Sequence, residues 1–190
     1  MRKLKTLFIK DPNDLSKVLN EIDPDCKWVY EFGLPTRKFD GSACAVFEGI
    51  LYKRYDSKIN KKTGKRKPVP DNAIPCQEPD EITGHWPHWI KCERDKPEDK
   101  YFFEAFDCLS EVIDGTYELC GEKVQSNPEK IEGHKLLKHG SEILDLLDFS
   151  YDNIREYFSK KENDIEGIVF HNKNNNEMCK IRKSDFGLPR

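Results

Sequence analysis

The chain has 190 residues, 35% charged and 36% hydrophobic, and its 32 basic and 35 acidic side chains leave a formal charge of −3. Balanced charge with eleven Phe, seven Tyr and three Trp gives core material that disordered chains lack, and no stretch approaches the roughly 18 apolar residues of a membrane-spanning helix. The basic start at 1–5 precedes only Leu7-Phe8-Ile9, short of a signal-peptide core, and the seven scattered cysteines form no CxxC pair, so reduced thiols and a cytoplasmic, membrane-free location are expected.

In chain order, Leu15, Val18, Leu19 and Ile22 stand at the i, i+3, i+4, i+7 spacing of an amphipathic helix over 12–22, opened by Asp11-Pro12. Residues 43–47 and 49–52 read as two tightly joined buried strands. Residues 56–100, rich in Lys, Pro and Gly, read as a long excursion with room for short strands. Residues 101–106 (Tyr-Phe-Phe-Glu-Ala-Phe) and 116–120 read as strands. Ser141 is placed to cap a short helix carrying Ile143, Leu144, Leu146 and Leu147, and Ser150 another carrying Ile154, Tyr157 and Phe158. Strands at 165–171 and 177–182 flank the polar turn at 172–176, as in a hairpin. The order is that of an α+β fold with a largely antiparallel sheet.

Charge is uneven. Lys53, Arg54, Lys58, Lys61, Lys62, Lys65, Arg66 and Lys67 face one acid, Asp56, giving +7 in fifteen residues; with −3 overall, the remainder carries −10. Such a segment is either a docking site for a polyanion or a solvated loop around Thr63-Gly64.

Five short elements bear on chemistry. Lys38-Phe39-Asp40-Gly41 is a surface turn or the seat of a nucleophilic lysine, which attacks only as a free amine and so needs burial or neighbouring positive charge. Glu166-Gly167-Ile168-Val169 brings a carboxylate into an apolar strand, costly unless it is paired, metal-bound or facing water. Lys180 and Arg182 share one strand face with Ile181 on the other, which suits a phosphate chain or a guarded strand edge. Glu118 is a lone acid in the strand Tyr117–Gly121, and Arg54 leaves the strand that follows the lysine turn. Elsewhere, Cys76, His85, His88 and Cys92 lack the close cysteine pairing of most zinc sites. They fit better as a Trp-rich packing turn or the wall of an RNA path.

In this order the elements resemble the covalent nucleotidyltransferases, the superfamily of DNA ligases, RNA ligases and mRNA capping enzymes, through KFDG at 38–41, YELCG at 117–121, EGIVF at 166–170 and CKIRK at 179–183. A closer likeness is to the small ATP-dependent 5′-to-3′ RNA ligase family with vertebrate members. It rests on residues 35–42, Gly84-His85-Trp86-Pro87-His88-Trp89, Leu136-Leu137-Lys138-His139-Gly140, 166–171 and Asp185-Phe186-Gly187-Leu188-Pro189, and spans roughly residues 30–189. Arg37 stands where those relatives carry an acid, and Arg182 where many carry a lysine.

The resemblance implies an α+β nucleotidyltransferase core, ATP-grasp-like, with largely antiparallel sheets and flanking helices. It would form one minimal domain over 1–190 with the excursion at about 56–100 and no OB domain. It implies an ATP-dependent RNA ligase that joins 5′-phosphate and 3′-hydroxyl RNA ends through lysyl-AMP and RNA-adenylate, in RNA repair, with Mg2+ or Mn2+ and no obligate protein partner. Lys38 would be the nucleophile. Lys180 and Arg182 would hold the α-phosphate, and Glu166 and Asp40 the metal, directly or through water. Glu118 would contact the ribose or the metal region and Arg54 the ribose or phosphate, Arg37 and Gly41 would line the nucleotide, and Ile168 would pack on the adenine. Lys53, Lys58, Lys61, Lys62, Lys65, Arg66 and Lys67 would track the RNA backbone. The alternatives are a DNA ligase, a GTP-using capping enzyme, or an RNA-binding module without catalysis.

Overall fold

The computed structural model describes residues 3–60, 62–81 and 83–189. In chain order its elements are β1 (Lys5–Thr6), β2 (Phe8–Asp11), β3 (Asp14–Ile22), α1 (Val29–Phe32), β4 (Gly33–Lys38), β5 (Ser42–Phe47), β6 (Ile50–Ser57), β7 (Ile74–Pro75), β8 (Trp86–Lys91), α2 (Lys100–Asp107), β9 (Gly115–Gly121), β10 (His134–Lys138), α3 (Tyr151–Ser159), β11 (Gly167–Asn172) and β12 (Met178–Arg182), with short 3-10 turns between some of them. The class is α+β with mostly antiparallel sheets, as expected. The chain forms two compact units, one from residues 4–40 with 139–189, the other from residues 41–138.

In the first unit a four-stranded sheet runs β1-β12-β11-β4, antiparallel except for the parallel β1–β12 pair. One face of it is core: Ile168, Phe170, Cys179 and Ile181 lie against Leu7, Phe8, Val29 and Ile165, and α3 adds Ile154 and Phe158 at i, i+4. Ser150 does precede α3 with an extended backbone, but its side chain makes no capping bond.

Two expected helices of this unit are absent. Residues 14–22 form β3 of a hairpin with β2. Asp11 accepts from the Asn13 amide at 2.8 Å and turns the chain there. Of the supposed helical stripe, Val18 is buried while Leu15 is 72% exposed. Val18 and Ile22, an even number apart, fit a strand as well as a helix. Residues 142–144 instead pair with the edge of β4: the Arg37 amide donates to the Glu142 carbonyl at 2.9 Å, and the Leu144 amide to the Pro35 carbonyl at 3.0 Å. That pairing satisfies a strand edge that a separate helix would have left bare.

The second unit is a six-stranded antiparallel sheet, β10-β9-β5-β6-β8-β7. Cys44, Val46, Leu51, Tyr117, Leu119 and Leu136 form its core. The β5–β6 hairpin turns on Glu48 and Gly49, both with positive φ (51° and 72°), the geometry that matches strand twist in a two-residue turn. Residues 101–106 are not a strand but the body of α2, which follows a 3-10 turn at Pro97–Asp99 and buries Ala105. Their aromatic content favoured a strand; packing across from β10 decides for the helix. The excursion contains a strand of the sheet proper, β8, with Pro87, His88, Trp89 and Ile90 buried. No described helix is long and apolar enough to cross a membrane, and all seven cysteines are free thiols.

Candidate active site

In the first unit, Lys38 at the end of β4 lies opposite Gly167, and Gly167 lies opposite Arg182 on β12. Thr36, Val169 and Lys180 form the next row on the same face, because directly paired residues share a face and alternate residues repeat it. One sheet face thus holds Lys38, Lys180 and Arg182 at one end. Leu34, Val169 and Met178, with His171 between Leu34 and Met178, continue it. Gly167 keeps the middle of the first row low, since a Cβ there would stand 2.4 Å from the Ile181 carbonyl oxygen.

The rows correct two assignments. Ile168 is one residue out of phase with Lys180. It is fully buried in the core on the opposite face, and Val169 is the residue of β11 that shares the face of Lys180. Arg37, paired with Ile168, also belongs to the opposite face; its guanidinium bridges to Glu142 at 3.2 Å and lies over the Phe39 ring at 5.5 Å.

Glu166, just ahead of β11 rather than within it, accepts a hydrogen bond from Lys38 Nζ. That contact joins the expected nucleophile to the expected metal ligand across 128 residues of sequence. Asp40 is half-buried two residues beyond Lys38. Burial pushes the Lys180 ammonium down to about 8, and the charges of Lys38 and Arg182 add to the shift. Arg182 is gripped by Asp185, which is 1% exposed. One carboxylate oxygen takes Arg182 Nη2 at 2.8 Å and Lys10 Nζ at 2.7 Å; the other takes the Arg182 main-chain amide at 2.8 Å. Burial alone would push the Asp185 carboxyl up, but these donors outweigh it and hold it below the usual carboxylate range.

Val169, Asp185 and Lys10 were not singled out from sequence. Alternation back from Lys180 would have found Val169, and the Asp185-Phe186-Gly187 landmark pointed at Asp185. Nothing local marks Lys10, 175 residues away from its partner.

In the second unit, Glu118 on β9 is buried and lies opposite Ala43 of β5. Alternation puts Arg54 of β6 on the same face, since Cys44 pairs with Lys53 and Ala43 precedes it by one. A small residue therefore separates a carboxylate from a guanidinium on one surface. Arg54 is braced by Asp56 at 3.0 Å and lies 5.8 Å over Trp89. Gly41 is forced to be glycine: a Cβ would come 2.2 Å from the Leu119 carbonyl oxygen.

The basic segment is a hairpin closed by the Lys67 amide on the Lys58 carbonyl and the Asn60 amide on the Lys65 carbonyl, both at 2.9 Å. Lys58, Lys62, Lys65 and Lys67 are exposed on it, with Lys67 over the Tyr55 ring at 4.0 Å. Lys61 lies outside the described residues. Two of the expected RNA contacts are structural instead. Lys53 is on the core face and pairs with fully buried Asp99 at 2.5 Å. Arg66 donates to the Gly84 carbonyl at 2.7 Å and the Ser57 carbonyl at 3.3 Å.

Two histidines of the second unit, His88 and His134, have structural partners. His88 is buried with Nδ1 2.9 Å from the Trp86 carbonyl. His134 stacks on Tyr101 and accepts from the Lys123 amide at Nε2, so its proton sits on Nδ1 and goes to Glu104 at 2.9 Å. Among the described residues no group of three or more His, Cys, Asp or Glu is gathered to hold a metal ion, so the zinc reading finds no support.

The chain is similar to RNA ligase 1. It is 27% identical to RNA ligase 1 of Rattus norvegicus and 28% identical to that of Mus musculus, over 162 residues in each case. The match takes in 64% of this chain and 49% of each relative, so the chain spans about half the length of the relatives it matches. No family model matches the chain. At this level the finding is one of similarity to RNA ligase 1 and goes no further.

Proposed function

We propose that the chain is an ATP-dependent RNA ligase that works through a lysyl-AMP intermediate. The observation that carries this reading is the contact of Lys38 with Glu166 on the sheet face that also bears Lys180 and Arg182. A surface lysine needs none of these neighbours, whereas a lysine that attacks phosphorus needs cations for the phosphate and a carboxylate to orient its amine. The similarity to RNA ligase 1 supports the choice of RNA.

In the proposed chemistry Lys38 Nζ forms a bond to the α-phosphorus of ATP. The bond to the bridging oxygen breaks, its electron pair leaves with pyrophosphate, and the Nζ proton goes to solvent. Lys180 and Arg182 hold the non-bridging oxygens. The AMP then passes to an RNA 5′-phosphate, and a 3′-hydroxyl displaces it to seal the strand. Val169 packs on the base; for Arg54 and Glu118 the resemblance alone implies contacts at the ribose, the phosphate or the metal region. A magnesium or manganese ion carried mainly by substrate phosphates asks for only one or two protein carboxylates, which fits Glu166 and Asp40 better than any all-protein cage. When bound it neutralises phosphate charge. Glu166 orients the Lys38 amine through their hydrogen bond.

The test is incubation with magnesium and ATP or GTP labelled on the α-phosphate, followed by denaturation and mapping of the label. ATP label on the residue 38 peptide supports the reading. No label from either nucleotide sinks it, and GTP label alone would make the chain a capping-type enzyme. Joining of RNA but not DNA strands with 5′-phosphate ends tests the substrate.

Lys180 predicts the pH profile. Its ammonium holds phosphate only while protonated, so kcat/KM for adenylation is expected to fall as pH rises through about 8. Lys180→Arg, which stays charged, is expected to remove that falling limb; a limb unmoved by the substitution would count against the role of Lys180.

The basic hairpin predicts a salt effect. Replacing Lys58, Lys62 and Lys65 by alanine is expected to lower the slope of log affinity against log salt for single-stranded RNA by about 2, since each phosphate contact contributes about 0.7. Fluorescence anisotropy across a salt series reads the slope directly.

A further inference from the structure

We infer that Lys10 and Arg182, held together by Asp185, form a site for the β- and γ-phosphates of the nucleotide, and hence for the departing pyrophosphate. Their choice as nucleotide phosphates rests on the ligase reading; the anion site itself stands on geometry. Lys10 Nζ and Arg182 Nη2 bond the same Asp185 oxygen at 2.7 and 2.8 Å, so the two cations are at most 5.5 Å apart. Oxygens of one diphosphate group can bridge that gap. Asp185 is 1% exposed, whereas the side chains of Lys10 and Arg182 are 27% and 38% exposed, so the carboxylate is sealed beneath its partners while the cations still reach solvent. One carboxylate against two cations leaves a net positive charge, and the fork from Asp185 fixes the guanidinium.

Position selects the phosphates. Lys38, Gly167 and Arg182 lie in one row across β4, β11 and β12. Lys10 lies in β2, just after β1, which pairs with the far side of β12, and its ammonium meets the Asp185 oxygen that also holds Arg182. Displacement at phosphorus is in line, so the leaving group departs on the side opposite the nucleophile. With Lys38 at one end of the row, that side is where Arg182 and Lys10 stand. Bond making by Lys38 and the loss of pyrophosphate thus fall at opposite ends of one face.

The experiment is calorimetric titration of the whole chain, as wild type, Lys10→Ala and Lys10→Arg, with magnesium pyrophosphate, AMP and a 5′-phosphorylated RNA oligonucleotide. Lys10→Ala is expected to weaken pyrophosphate about tenfold, the usual scale of one lost charge-assisted bond. AMP, which lacks these phosphates, is expected to bind as before, and Lys10→Arg to restore pyrophosphate to within about threefold. Equal binding of pyrophosphate to wild type and Lys10→Ala overturns the inference. So does equal weakening of AMP and pyrophosphate, which would mark a structural role for Lys10, or a loss confined to the RNA 5′-phosphate. Labelling with ATP separates this from the larger reading. Lys10-dependent pyrophosphate binding by a chain that never takes label leaves the anion site standing without a ligase. A chain that takes label, but from which pyrophosphate strips AMP equally well with and without Lys10, is a ligase without this site.

Discussion

Lys38→Ala is expected to abolish covalent AMP labelling, a fall of roughly a thousand-fold or more to background, as removal of a covalent nucleophile does. Lys38→Arg is expected to fail as completely, since a guanidinium keeps its proton and cannot attack. The fold should survive both. The Lys38–Glu166 pair has side chains 23% and 21% exposed, so water reaches the orphaned carboxylate, and the cost of Lys38→Ala is expected to be about 1 kcal/mol. Labelling and urea unfolding, measured on the same preparations, therefore separate chemistry from folding. Residual labelling of Lys38→Ala at another residue would move the nucleophile elsewhere and with it the meaning of the Glu166 contact.

The strands that carry these residues were legible because alternation is local. Strand β12 follows from Met178–Arg182, whose burial repeats every second residue, and β5 from the short apolar run Ala43–Phe47, buried at its three central residues. The misread segments are those where distant partners decide. Residues 14–22 satisfy helical and strand spacings alike, and the turn at Asp11 with pairing to β2 breaks the tie. Residues 100–107 carry strand-favouring aromatics, yet pack as a helix because β10, with about thirty residues of chain between, offers a surface for one face. Residues 142–144 complete the edge of β4, a demand no local pattern encodes.

The same division runs through the candidate site. Lys38, Glu166, Lys180 and Arg182 could be picked out because each sits in a short motif, and their common face follows from strand parity once the pairing is known. Parity also shows why Ile168 was the wrong apolar residue: it alternates with Gly167 and Val169 and so must face away from Lys180. Charge alone misjudged Lys53 and Arg66. A cation in a basic run looks solvent-facing until its partner is found, and Asp99 and the Gly84 carbonyl lie 46 and 18 residues off.

Gly167→Ala tests that parity at its tightest point, and is expected to destabilise the protein by about 3 kcal/mol, at the upper end for overpacking. The added Cβ would stand 2.4 Å from the Ile181 carbonyl oxygen, 2.9 Å from Arg182 Cα and 3.2 Å from the Ile181 carbonyl carbon. All three are backbone atoms, so no side chain can swing aside and β12 itself must move. Gly64→Ala is the control. Its Cβ meets nothing within 4 Å at a φ of +67°, so only the left-handed backbone is penalised, by about 1 kcal/mol. Urea unfolding midpoints compare the two. The displacement of β12 has a second consequence, because Arg182 is the residue opposite Gly167 and Lys180 precedes it by two. A shift of about 1 Å in groups that position a reacting phosphate costs on the order of a hundredfold in rate. Adenylation by Gly167→Ala is thus expected to fall by that factor at temperatures where the variant remains folded. A variant as stable as Gly64→Ala and fully active would mean that Lys38, Gly167 and Arg182 do not share a row.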